Sequence, residues 1–122
     1  YKVDVTKLTR DAIADINLGT KEKDRCKNMF VLGFLYWMFD RDMQTSINFL
    51  NEKFSKKAEI LEANLRVLKA GYAYGETTET FSTRFKVEKA KMPAGKYRNI
   101  MGNQALALGI VAASYQSGLP VF

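Results

Sequence analysis

No histidine occurs among the 122 residues, and cysteine is present once, as Cys26. The first absence removes the usual general base of Ser-His and Cys-His nucleophilic schemes, so hydrolysis by a triad is excluded. Together the two leave no second soft ligand with which to build a zinc or iron–sulfur site, and a lone cysteine closes no internal disulfide. A reducing, cytoplasmic setting is therefore expected, with Cys26 read as a small buried hydrophobe at a helix start rather than a reactive thiol. Long apolar runs are also missing. The longest, Met29 to Phe39 broken only by Gly33, falls short of the roughly 20 residues that a bilayer requires. It follows no basic leader either, so neither a membrane span nor a secretory signal is predicted. The chain opens on Tyr1 and closes on the apolar Leu119-Pro120-Val121-Phe122, which reads as two cut ends.

What is present is the composition of a soluble globular protein, 47% apolar and 26% charged, a balance that argues against global disorder. After a short extended stretch, Lys2 to Val5, the spacing of Leu8, Ala12, Ile13 and Ile16 predicts a helix over Thr6 to Ile16, stopped at Asn17-Leu18-Gly19. Lys21 to Lys27 is a charged approach. From Cys26 to Phe39 the residues are apolar on every side, which predicts a helix enclosed by neighbours, with Phe34, Tyr36, Trp37 and Phe39 as packing groups. Asp40 or Asp42 can cap the next helix, whose Met43, Ile47, Leu50 and Phe54 share a face. Ser55 is the expected cap of a further amphipathic helix carrying the stripe Leu61, Leu65, Leu68 and Tyr72, with Gly71 and Gly75 marking its end.

Helical periodicity then stops. Residues 76–98 read as a linker with a breaker at Pro93-Ala94-Gly95, and a loop that long argues that two domains are joined. Charge collects there: Arg84, Lys86, Lys89, Lys91, Lys96 and Arg98 face only Glu88, so residues 84–98 carry +5 of the chain's net +6. Such a strap could meet phosphates, but only Phe85 and Tyr97 are available to stack on bases, and no helix presents a basic recognition face. A solvated connector lying across an acidic surface of its own enzyme or of a partner is the preferred reading, and nucleic acid is disfavoured. A last helix is predicted from Gly102-Asn103 to about Gln116, with Ala105, Gly109 and Ala112 as a small-residue face. Free backbone N–H groups at that helix start make Gly102 and Asn103 the candidate anion- or cofactor-contacting residues, although both are also ordinary cap residues.

Three segments carry a family resemblance. Lys27-Asn28-Met29-Phe30-Val31-Leu32-Gly33 is similar to the Asn-Met-x-x-Leu-Gly segment in the γ domain of 2-oxoacid:ferredoxin oxidoreductases. Asn64 to Tyr72 resembles the closing helix of that domain. Met101-Gly102-Asn103-Gln104-Ala105-Leu106-Ala107-Leu108-Gly109 resembles the Gly-Asn-x-Ala-x-Ala-x-Gly start of the α domain. Their order is that of subunits with γ and α fused, most like the 2-oxoglutarate type.

The resemblance implies an α-subunit fragment: residues 1–75 from the end of the γ domain, 76–98 a basic interdomain linker, 99–122 the first helix of the thiamine diphosphate-binding α domain. The expected fold is mainly α, with four to five helices and a long linker, derived from a larger α/β protein, and short strands at Lys2 to Val5 and near Leu119 to Phe122. The implied parent enzyme, an oxidoreductase of anaerobic metabolism, decarboxylates a 2-oxoacid to an acyl-coenzyme A and passes electrons to ferredoxin. It uses thiamine diphosphate, Mg and iron–sulfur clusters, and is paired with a β subunit. The family's Tyr-Pro-Ile-Thr-Pro segment would fall beyond Phe122, so no catalytic or metal-ligating residue carries over, and the fragment alone is expected to be inactive and to self-associate. The alternative is a freestanding helical interaction module whose basic arm binds an acidic protein or nucleic acid.

Overall fold

The computed structural model describes residues 2–78 and 83–120. They contain six helices: α1 Val5–Ala12, α2 Thr20–Arg25, α3 Lys27–Met38, α4 Gln44–Lys53, α5 Ala58–Thr77 and α6 Gly102–Ser117. No strand occurs among the described residues. The mainly α architecture is as expected, but no strand forms at Lys2 to Val5, where Asp4 instead caps α1 through a 2.9 Å bond from the Lys7 amide, and of the second expected strand the described Leu119 and Pro120 are coil. Val121, Phe122 and the linker residues 79–82 lie outside the described residues. The additional helix is α2, whose charged sequence buries nothing and so shows no apolar periodicity. A carboxylate starts it, the Glu22 side chain accepting from the Gly19 amide at 3.1 Å.

The chain divides into two compact units, Tyr1–Lys89 and Ala90–Phe122. The first is organised around α3 and α5, which lie backbone against backbone. Phe30, Gly33 and Trp37 make the inner face of α3, and Ala63, Asn64, Val67, Leu68, Gly71 and Gly75 make that of α5. A Cβ at Gly33 would collide with the Leu68 carbonyl, one at Gly71 with the Phe30 carbonyl, and one at Gly75 with the Trp37 ring. Glycine is therefore required by proximity and not by a turn, and α5 runs through both of its glycines to Thr77 instead of ending at them. Of the expected stripe only Leu68 is fully buried, while Leu61, Leu65 and Tyr72 are half-buried. Nor does Ser55 cap the helix, which starts at Ala58 behind Lys57.

Around this pair, Ile13, Cys26, Phe30, Ala63 and Val67 form the core, flanked by Leu8, Ile16, Met29 and Tyr74. The fully buried Ile13 and Val67 side chains each stabilise the fold by roughly 1.5–3 kcal/mol. Helix α1 is shorter than expected, but Ile13 still reaches full burial from the turn that follows it. Ion pairs fasten that corner: Arg10 grips Asp24 at 2.7 and 2.8 Å, and Arg66 bridges Asp15 at 2.6 Å and Glu62 at 2.9 Å. Asp42 accepts from the Gln44 amide at 2.9 Å and so starts α4, which Tyr36 ties to α3 through a 2.6 Å bond with Ser46. Contrary to expectation α3 is not enclosed all round, since Val31 and Leu35, one turn apart, are 43% and 40% exposed.

In the second unit, Tyr97 closes the Pro93 turn by donating to its carbonyl at 2.7 Å. Helix α6 ends at Gly118, whose φ of 72° is the left-handed conformation that glycine adopts without steric cost.

Candidate functional site

The segment after α5 is the first place where chemistry-bearing residues gather. Helix α3 ends in a reversal in which the Arg41 amide returns to the Tyr36 carbonyl at 2.8 Å and the Asp40 amide to the Trp37 carbonyl at 3.3 Å. This is the paired bonding of a Schellman cap, and it puts Asp40 at φ 49°, where glycine is the usual occupant. Arg84 and Phe85 lie over this reversal. Arg84 donates from Nη2 to Asp40 Oδ1 at 2.9 Å and from Nε to the Trp37 carbonyl at 3.2 Å, with its guanidinium 5.7 Å from the Trp37 ring centre. The Phe85 amide donates to the Met38 carbonyl at 2.7 Å, and its ring meets Phe39 at 5.6 Å. Beside them an apolar groove of about 300 Å³ is lined by Leu32, Leu35, Tyr36, Phe39, Arg41 and Val87.

This arrangement changes the account of the basic segment. Arg84 is paired with Asp40, and Lys86 with Glu88 at 3.3 Å. Of the six cations in residues 84–98, Lys89, Lys91, Lys96 and Arg98 have no ion pair with a described residue. Phe85, one of the two candidate base-stacking residues, is engaged by Phe39. Sequence reading missed this docking because four separated residues, Trp37, Phe39, Asp40 and Arg84, carry no shared periodicity.

Cys26 is buried at a cleft of about 370 Å³ that is also lined by Met29, Leu50, Phe54, Ile60 and Asn64 and rimmed by Arg25, Lys53 and Lys57. Burial, and secondarily Glu22, pushes its thiol above the usual range. The thiolate form is thereby disfavoured, which fits the packing role read from the sequence. Among the described residues no three His, Cys, Asp or Glu side chains cluster as a metal site. With no histidine and one buried thiol, the donor set does not fit an iron–sulfur cluster.

Gly102 and Asn103 occupy the first two positions of α6 and are exposed. The capping residue is Met101, neither Gly102 nor Asn103: its amide donates to Gln104 Oε1 at 3.2 Å, which leaves Gly102 and Asn103 inside the first turn. The helix is apolar on all sides, with Leu106, Leu108, Val111 and Tyr115 exposed by 65%, 62%, 64% and 90%.

Residues 1–74 match the family described as pyruvate ferredoxin/flavodoxin oxidoreductase. Over 121 residues the chain is 50% identical to the 2-oxoglutarate oxidoreductase subunit KorA of Mycobacterium tuberculosis (strain ATCC 25618 / H37Rv), an alignment that takes in 99% of this chain and 18% of that protein. No solved structure matches the chain. The freestanding-module reading finds no support, because nearly every residue aligns within one subunit of a larger oxidoreductase. A match over residues 1–74 and an identity of one residue in two place the chain: it belongs to the pyruvate ferredoxin/flavodoxin oxidoreductase family.

Proposed function

We propose that the chain is part of the α subunit of a 2-oxoglutarate-type 2-oxoacid:ferredoxin oxidoreductase, and that its own contribution is packing and subunit contact. The 50% identity to a 2-oxoglutarate oxidoreductase subunit over 121 residues carries this reading. The complete enzyme oxidatively decarboxylates 2-oxoglutarate, delivers the acyl group to coenzyme A and passes the electrons to ferredoxin, in the cytoplasm and together with a separate β subunit. Residues 1–75 close a γ domain, 76–98 connect it to the α domain, and 99–122 supply that domain's first helix. Thiamine diphosphate, Mg and the iron–sulfur clusters are held by other parts of the complex. This chain offers at most the Gly102 and Asn103 amides, near the positive end of a helix, toward a cofactor phosphate.

The test is reconstitution. The full-length α subunit, purified anaerobically with its β partner, is assayed for coenzyme A-dependent reduction of ferredoxin by 2-oxoglutarate and, separately, by pyruvate. Turnover with 2-oxoglutarate and none by the 122-residue chain alone is the expected result. Preference for pyruvate would overturn the substrate assignment, and turnover by the chain alone would overturn the packing role.

A further inference from the structure

We propose that Asp40, Arg84 and Phe85 form a latch that binds the segment after α5 to the C-terminal end of α3 and so fixes where the basic connector leaves the helical unit. The last carbonyls of any helix lack intrahelical partners. At the end of α3 the cap reversal satisfies those of Tyr36 and Trp37, and the amide of Phe85, 47 residues further along the chain, satisfies that of Met38 at 2.7 Å. A cation at a helix C-terminus also opposes the negative end of its dipole, and Arg84 stands there with Nε 3.2 Å from the Trp37 carbonyl.

The residue at φ 49° decides between a chance contact and a built device. Glycine would hold that position without strain, as it does at the end of α6. Aspartate tolerates it at some conformational cost. What Asp40 offers in return is a carboxylate aimed at Arg84, 2.9 Å away. The ion pair by itself is weak, because both side chains are about half exposed, at 46% and 60%. Its force comes from acting together with the Trp37 carbonyl, the Trp37 ring and the Phe39–Phe85 contact, which hold Arg84 and Phe85 in place beside it. Four connector cations, Lys89, Lys91, Lys96 and Arg98, follow the anchored point, so the latch sets the origin of the positive strap.

The latch depends on these residues and not on the reaction assigned above. Asp40→Gly separates it from helix stability, since the variant relieves the backbone at position 40 and removes only the carboxylate. In the full chain, the wild-type Phe85 amide is expected to exchange at least about tenfold more slowly than an open coil. In Asp40→Gly, and in the near-isosteric Asp40→Asn, that protection falls to within about twofold of the coil rate and trypsin cuts after Lys86 about tenfold faster. The unfolding midpoint reported by Trp37, the single tryptophan, stays level or rises in Asp40→Gly. Coil-rate exchange at Phe85 in the wild type overturns the proposal. So does Asp40→Gly with protection and cleavage unchanged, whatever happens to the midpoint. Phe85→Ala is the second arm: it retains the amide and loses the ring contact, so faster cleavage after Lys86 supports the latch and an unchanged rate counts against it.

Discussion

Thr9 has no exposure to solvent, and its hydroxyl finds no hydrogen-bond partner among the described residues. An orphaned buried polar group costs about 1–3 kcal/mol, whereas an apolar group of the same shape carries no such penalty. Thr9→Val should therefore stabilise the chain by about 1 kcal/mol, read as a raised midpoint in urea at an unchanged slope. Gly71 predicts the opposite sign. A methyl group there would overlap the Phe30 carbonyl, which is backbone and cannot swing aside. Gly71→Ala must then push α3 away from α5, at a cost of about 3 kcal/mol, and a variant as stable as wild type in the same titration would refute the close approach. The two carboxylates held by arginine give a pH dependence. The Arg66 bond above all holds Asp15 below the usual carboxylate range, and the Arg10 bond does the same for Asp24. Depressed folded-state values mean that this stabilisation is complete above the unfolded-state range, about pH 4, and is lost as pH falls through the lower folded values. Stability contributed by these pairs should hold level from neutrality to about pH 5 and then decline. Arg66→Met should flatten that decline relative to wild type, and an identical acid limb in the two proteins would dismiss the pairing.

At the scale of elements, the long helices were legible in the sequence wherever apolar side chains set the period. Helices α3 and α4 fall within a residue or two of the boundaries read from Cys26 to Phe39 and from the Met43, Ile47, Leu50 and Phe54 face. The reading failed where packing is done by small residues. Leu61, Leu65 and Tyr72 outweigh Ala63, Gly71 and Gly75 on any hydrophobicity count, yet the small residues face α3, because they let two backbones touch. By composition Gly71 and Gly75 read as a stop signal, whereas their role is contact with α3. Helix α2 carries no periodicity for the complementary reason, since five of its six residues are charged and none is buried. The latch at the end of α3 was invisible because it joins Asp40 to Arg84 across 44 positions without any repeating pattern. For the candidate site, the spacing picks out Gly102 and Asn103 as a helix start, and they are the first two residues of α6, with Met101 before them as its cap.

At the scale of the whole molecule, the surface is unlike that of a protein that has buried what it can. An all-round apolar helix is ordinarily enclosed, yet α6 has no buried residue. Val31 and Leu35 add a second exposed apolar stripe, on the helix that otherwise anchors the core. Since the chain corresponds to 18% of the length of its relative KorA, much of the cover for such faces in a complete subunit would come from other segments. Without that cover, apolar patches drive association. The chain should therefore self-associate, with a weight-average mass in sedimentation velocity that rises with concentration. The lesion that tests this is local: Leu108→Glu with Val111→Glu places two charges one turn apart on α6, where neither native side chain supports the fold, being 62% and 64% exposed. Burying either side chain in an interface is worth roughly 1.5–3 kcal/mol, so the double variant should shift association to at least about tenfold higher concentration while Trp37 emission, which reports on the α3–α5 core, stays as in wild type. A wild-type chain that sediments as a clean monomer at high concentration would mean that these faces are too small or too dispersed to pair.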